Sequence, residues 1–222
     1  MMKKPVRKVL FQGDSLVDCG RDRKEAGPNA GLGCGFVYLI AAHLCADFPE
    51  AEVYNRGIGG NRIVDMYARW TEDTLLLDFD LLSINNGIND VGFALRMQRG
   101  ADCRKYERIY DDMLAEVRAC KPDAALLLMQ PSILRRNLAG QVSRNDIYED
   151  WDIWYENICE RGEAVRRLAE KYDAIYLPVR EILEEASHRL PLERLTPDGI
   201  HLAPAGNEIV ARAWLEATRK LF

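Results

Sequence analysis

Short β-rich runs alternate along the chain with longer stretches in which apolar residues recur every three or four positions. Five runs read as strands: Arg7 to Gln12, Glu52 to Asn55, Leu81 to Asn85, Ala124 to Gln130 and Ala174 to Pro178. Between and after them the spacing predicts helices near 35–48, 62–77, 104–120, 147–172, 180–189 and 204–220. In the stretch 147–172, Ile147, Trp151, Trp154, Ile158, Val165, Ala169 and Tyr172 share one helical face, so this helix is expected to lie on the sheet. Parallel strands need crossovers of this length. The pattern therefore predicts an α/β fold, a three-layer sandwich around a five-stranded parallel sheet. No repeat or Gly/Ser linker divides the chain, and the polar stretch Ser132 to Asn145 reads as a loop, so 1–222 is expected to be one domain.

Composition narrows the function classes. A chain of 222 residues with 48% apolar content can bury a full core. A formal net charge of −5 gives no reason to expect nucleic acid or an anionic membrane as partner, and suits a neutral small molecule better. The basic start, Met1 to Lys8, is followed by only Val9-Leu10-Phe11, too short for the apolar core of a signal peptide. Phe36 to Ala46, the longest apolar stretch, is broken by His43 and falls short of the roughly 20 residues that span a bilayer. Six cysteines form no CxxC pair, so reduced thiols and a cytoplasmic setting are expected. The three histidines have no metal-binding spacing, and neither a metal nor another cofactor is expected. Homo-oligomer formation is left open.

Candidate chemistry gathers where strands end. The first strand runs into Gly13-Asp14-Ser15, which sets Ser15 just past a carboxyl end, where open α/β sheets bind ligands. An N-cap serine is the plain alternative. Far along the chain, Pro197-Asp198-Gly199-Ile200-His201 places a carboxylate three residues before an imidazole inside a turn-forming segment. The acid can then fix the tautomer of His201 while the other ring nitrogen faces a serine hydroxyl. His43, with apolar helix neighbours, reads as a packing residue, and His188 sits beside Arg189 at a charged helix end. The loops Asn55 to Asn61 and Asn86 to Asp90 offer glycine N–H groups and asparagine amides, the donors an oxyanion needs. Alone, each would be a glycine turn or a helix cap.

Taken together, Gly13-Asp14-Ser15, Gly60-Asn61, Gly87-Ile88-Asn89-Asp90 and Asp198-Gly199-Ile200-His201 resemble the four blocks of the SGNH (GDSL) hydrolases, over residues 9–207. The resemblance implies a flavodoxin-like strand order, Ser15 as nucleophile, and Asp198 with His201 completing a triad. It also implies an oxyanion hole from the Ser15 and Gly60 N–H groups and the Asn89 side chain, with Gly59 competing for the place of Gly60. The string Gly13 to Arg21, with Ala68-Arg69-Trp70, is similar to acetyl-xylan-esterase-type members. An acetylesterase acting on carbohydrate esters is thus expected. The α/β-hydrolase elbow Gly-x-Ser-x-Gly is absent. A thioesterase or lysophospholipase would need a long apolar groove, and a non-catalytic carbohydrate-binding relative would not need Ser15, Asn89, Asp198 and His201 together. Arg135, Arg136 and Trp70 are the candidate substrate contacts, against plain readings of solvated charge and core packing. Of Trp151, Trp154 and Tyr155, at least two are expected in the core.

Overall fold

A computed structural model of the chain describes residues 5–135 and 151–222. In it the strand pattern becomes a sheet covered on both faces. Strand β1 (Lys8–Gly13) sends Val9 and Phe11 into one core with Phe36, Ile40 and Trp214, and Leu10 into another with Ile63, Met66 and Tyr110. Successive side chains of a strand point to opposite faces, so an uninterrupted apolar run can only be satisfied between two helical layers. The first layer contains α2 (Phe36–Asp47), α7 (Val179–Ser187), α8 (Leu192–Leu195) and α9 (Pro204–Thr218). The second contains α3 (Ile63–Ala68), α5 (Cys103–Cys120) and α6 (Trp151–Lys171).

The strands β2 (Glu52–Asn55), β3 (Leu81–Asn85), β4 (Ala125–Met129) and β5 (Ile175–Leu177) join β1 in the order β2-β1-β3-β4-β5, every pair parallel. This is the flavodoxin-like order expected from the resemblance. Such a sheet has its topological switch point where β1 and β3 lie side by side. In register, Phe11 faces Asn55 and Gly13 faces Asn85, so the loops leaving β1, β2 and β3 emerge together on one edge.

The helices depart from the sequence pattern in places. The segment expected as one helix over 62–77 is α3 followed by a π-helical turn, Thr71–Leu75. The short α1 (Ser15–Asp18), α4 (Ile88–Met97) and α8 were not anticipated. Positions 147–150, expected to open the long helix, and most of 132–145, expected as a loop, lie outside the described residues. Of the aromatic trio, only Trp154 is buried; Trp151 and Tyr155 are half-buried and stack on each other at 5.6 Å. No helix among the described residues is long and apolar enough to cross a membrane.

Candidate active site

The turn after β1 is built around one close approach. A Cβ on Gly13 would fall 2.1 Å from the Asn85 carbonyl oxygen, so only glycine lets β1 pass β3 here. Asp14 then caps α1, its Oδ1 accepting from the Leu16 N–H at 3.1 Å. Ser15 is the first residue of α1, where backbone N–H groups have no partner within the helix. Its own N–H has none among the described residues.

The partner loop forms through its own side chains. Thr196 Oγ1 accepts from the Gly199 N–H at 2.8 Å, and Gly199 adopts a φ of +88° that favours glycine. Asp198 Oδ1 accepts from the Ile200 and His201 N–H groups at 2.9 and 2.8 Å. Its Oδ2 lies 2.7 Å from His201 Nδ1, and His201 Nε2 lies 3.0 Å from Ser15 Oγ. With Nδ1 carrying the proton, Nε2 is free to accept from the serine hydroxyl. Burial alone would raise the Asp198 carboxyl, but three hydrogen bonds outweigh it and hold the group below its ordinary value. The same bond from Asp198 raises the His201 imidazole above its ordinary 6.5.

The loops after β2 and β3 complete the surroundings. Asp18, at the end of α1, accepts from the Gly59 N–H at 2.8 Å and from the Arg21 N–H at 3.1 Å, and pairs with Arg23 at 3.0 Å. With the Gly59 N–H held by Asp18, the next amide, Gly60, at φ +82°, has no partner among the described residues. That favours Gly60 over Gly59 as an oxyanion donor. The Asn61 carbonyl accepts from Asn86 Nδ2 at 3.0 Å and Asn89 Nδ2 at 3.2 Å, which fixes the Asn89 amide and leaves its second N–H available. Arg69 ties the loops together, donating to Asn61 Oδ1, the Arg56 carbonyl and the Gly13 carbonyl at 2.8, 2.8 and 3.3 Å. The π-helical turn begins two residues later, at Thr71. Sequence reasoning missed Asp18, Asn61 and Arg69 as bracing residues; their place inside or next to the quoted motifs was the available signal.

Two buried carboxyls lie behind the serine. Burial pushes Asp14 up to about 7, against the Leu16 N–H bond and the positive His201, and its Oδ2 has no partner among the described residues. Burial likewise pushes Asp90 up to about 6, although it accepts from the Ile63 N–H at 2.9 Å.

The candidate substrate contacts fare differently. Trp70 is 1% exposed, packs with Met66 and Tyr110, and donates Nε1–H to the Met113 carbonyl at 3.3 Å, so it is a core residue and cannot touch substrate. Arg135 is exposed with its guanidinium over the Trp151 ring at 5.7 Å, and the adjacent Leu134 N–H donates to the Gly199 carbonyl at 2.8 Å, beside the Asp198–His201 loop. Arg136 lies outside the described residues. His43 is exposed on α2 rather than packed, and His188 caps α7. A small cleft of about 220 Å³ opens between Asn89 and Ile200, lined also by Phe93, Arg96, Met97 and Trp154. The larger cleft of about 490 Å³, lined by His43, Phe48, Arg212 and Phe222, lies between α2 and α9 near the start of β2, away from Ser15. No cluster of metal-ligating side chains occurs among the described residues.

Comparison with known proteins gives a consistent result. Residues 11–209 match the model of the GDSL-like lipase/acylhydrolase family. An acetylxylan esterase of Geobacillus stearothermophilus is 30% identical over 215 residues, covering 94% of this chain and 92% of that protein. The solved structure of that organism's acetylxylan esterase Axe2 superposes with a TM-score of 0.83 at 29% identity, over 98% of this chain and 96% of the other. Its catalytic mutants have also been solved, one with a serine and one with a histidine replaced by alanine. A protein from Parabacteroides merdae described by its likeness to GDSL lipases gives a TM-score of 0.88 at 30% identity, over 98% and 97% of the two chains.

Proposed function

Because the chain belongs to the GDSL-like lipase/acylhydrolase family and is a carboxylic ester hydrolase, we propose that it is a single-domain serine esterase that removes acetyl groups from carbohydrate. The observation that carries this reading is the relay Asp198–His201–Ser15, at 2.7 and 3.0 Å, set at the switch point of the sheet. His201 Nε2 takes the Ser15 proton as Oγ attacks the ester carbonyl. The Ser15 and Gly60 N–H groups and the Asn89 amide donate to the oxyanion of the tetrahedral intermediate, a charge that the neutral ester lacks. His201 then gives its proton to the leaving alcohol, and water repeats the sequence to release acetate. Asp198 keeps Nδ1 protonated throughout and stabilises the imidazolium.

The substrate reading is supported by the acetylxylan esterase relative and by the small cleft beside Asn89, about 220 Å³, below the roughly 300–1,000 Å³ of common ligand pockets. One observation favours a second reading. On α4, next to this cleft, Met97 is 56% and Leu95 39% exposed, and these side chains offer apolar surface to a longer acyl chain. A series of esters from acetyl to dodecanoyl, run beside acetylated xylo-oligosaccharides, separates the two. The proposal expects kcat/KM to fall with acyl length and to be higher for an acetylated xyloside than for a simple alkyl acetate. A methylene that finds an apolar groove adds up to about 0.8 kcal/mol of binding. Activity that climbs from acetyl through octanoyl would replace the carbohydrate reading with the long-chain one.

A further inference from the structure

Two thiols stand beside the nucleophile-bearing turn and take no part in the ester chemistry. Cys19 is the C-cap of α1, at a φ of 38°, and its N–H donates to the Ser15 carbonyl at 2.9 Å. After the loop 20–33 the chain returns, and the Cys34 N–H donates to the Cys19 carbonyl at 3.0 Å. This backbone bond sets the two residues side by side, the close approach a disulfide requires. The sulfurs themselves lie 3.8 Å apart, in van der Waals contact.

Glycines on both sides of Cys34 make the approach possible. A Cβ on Gly33 would fall 2.6 Å from the Asp18 carbonyl oxygen and 2.7 Å from that of Cys19. A Cβ on Gly35 would fall 2.8 Å from the Cys19 Cβ. The pairing of positions 19 and 34 is therefore set by backbone packing as well as by two side-chain rotamers. Among the described residues no other two cysteine sulfurs meet, and no third ligand joins these two to make a metal site. Cys34 is exposed, whereas burial and its neighbour push the Cys19 thiol up to about 11.

We propose that Cys19 and Cys34 form a thiol–disulfide exchange site, in which a low-molecular-weight disulfide of the glutathione class oxidises the pair and staples the loop 20–33 to the nucleophile helix. Cys34, the accessible thiol, attacks as thiolate on one sulfur of the reagent, forms a mixed disulfide and releases one thiol. Cys19 then attacks the Cys34 sulfur, releases the second thiol and closes the Cys19–Cys34 bond. The reagent gains two electrons and the two protons that the protein thiols lose. No step involves Ser15, so the inference stands or falls apart from the esterase reading.

The test incubates the folded protein with oxidised glutathione, alkylates the remaining thiols, and maps peptides by mass spectrometry before and after dithiothreitol. The expected result is one linked peptide joining positions 19 and 34, the loss of two hydrogens, four cysteines still alkylated, and full reversal by the reductant. Cys19→Ser should trap glutathione on Cys34 as a stable adduct, because the thiol that resolves it is gone. Six alkylated cysteines after oxidation of the parent protein, a glutathione adduct that persists on Cys34 of that protein, or a disulfide at any other pair would each overturn the proposal.

Discussion

The two ends of the sheet are both polar and both crowded, yet they are built in opposite ways. At the amino-terminal end Arg7 pairs with Glu50 at 2.7 Å, Lys8 with Asp78 at 2.8 Å, and Asp80 Oδ2 accepts from the Arg7 and Lys8 N–H groups at 2.9 Å each. These charges line a cleft of about 360 Å³ and pair with one another at its solvent-exposed rim. At the carboxyl-terminal end the bracing groups are engaged with their neighbours: Asp18 holds Gly59, Asn61 holds Asn89, and Arg69 joins the loop after β2 to the turn after β1. What they hold is not spent. Among the described residues the Ser15 and Gly60 N–H groups and one N–H of Asn89 have no partner, and on the proposed mechanism they, with the Ser15–His201 pair, face the substrate. Both ends carry charge, so the separating feature is that the open donors of the carboxyl-terminal end are backbone and amide N–H groups held in place by satisfied neighbours.

The largest effect should come from the pair at the centre of the carboxyl-terminal end. Ser15→Ala and His201→Ala should each lower kcat by roughly 10⁴-fold or more, and the double variant should be little worse than either, because in the proposed mechanism nucleophile and base act as a unit. Steady-state kinetics of all three variants decides this, and additive losses would break the pairing. Thermal melting of Ser15→Ala should match the parent, since the only bond its hydroxyl makes among the described residues is to His201.

Next comes Asn89→Ala, expected to lower kcat by about 10²–10³-fold with KM nearly unchanged, as for a donor that matters most when the oxyanion forms. The Asn61 carbonyl keeps its bond from Asn86 at 3.0 Å, so the truncation leaves no buried acceptor bare. A rise in KM alone would recast Asn89 as a binding residue.

Asp80→Ala sharpens the comparison from the other end. It strips the acceptor from two backbone N–H groups where β1 begins, and should cost about 1–3 kcal/mol in urea unfolding while leaving kcat untouched. A stability loss without a kinetic one is the mirror image of Ser15→Ala. An equal loss of kcat would show that the two ends are not independent.

The parts of the molecule that the sequence made legible are those written in short spans. Strand β1 was readable because Val9, Leu10 and Phe11 form an apolar run ended by Gly13, and the Asp198–His201 bond because its partners are three residues apart. Trp70 stayed open between substrate contact and core because the sequence does not say which way neighbouring side chains turn; here Arg69 reaches toward the loops while Trp70 enters the core. The bracing bond from Gly59 to Asp18 spans 41 positions, and nothing local announces it. The helix α4 escaped notice because Gly92 and the charged Asp90 and Arg96 interrupt its apolar pattern.

The smallest effect concerns the buried carboxyl beneath the serine. Asp14 bears on His201 through charge: when ionised it helps hold the imidazole above 6.5, a smaller influence than the bond from Asp198. The proposed mechanism needs neutral His201, so the acid limb of kcat/KM should lie above the ordinary imidazole value in the parent protein. Asp14→Asn keeps a cap for the Leu16 N–H but removes the charge, so the limb should move to lower pH, by less than about one unit. Stability supplies the companion sign. The folded-state value of Asp14 is raised from 3.8 to about 7, so its contribution to stability is fully present below 3.8 and is lost as pH rises through about 7, where ionisation must occur in a buried site. Denaturant unfolding between pH 4 and 8 should therefore show a decline with rising pH that is weaker in Asp14→Asn. The two readouts are independent, since one reports the imidazole and the other the carboxyl itself. A limb that stays in place while the decline weakens would mean that Asp14 is buried near the triad but electrically silent toward it.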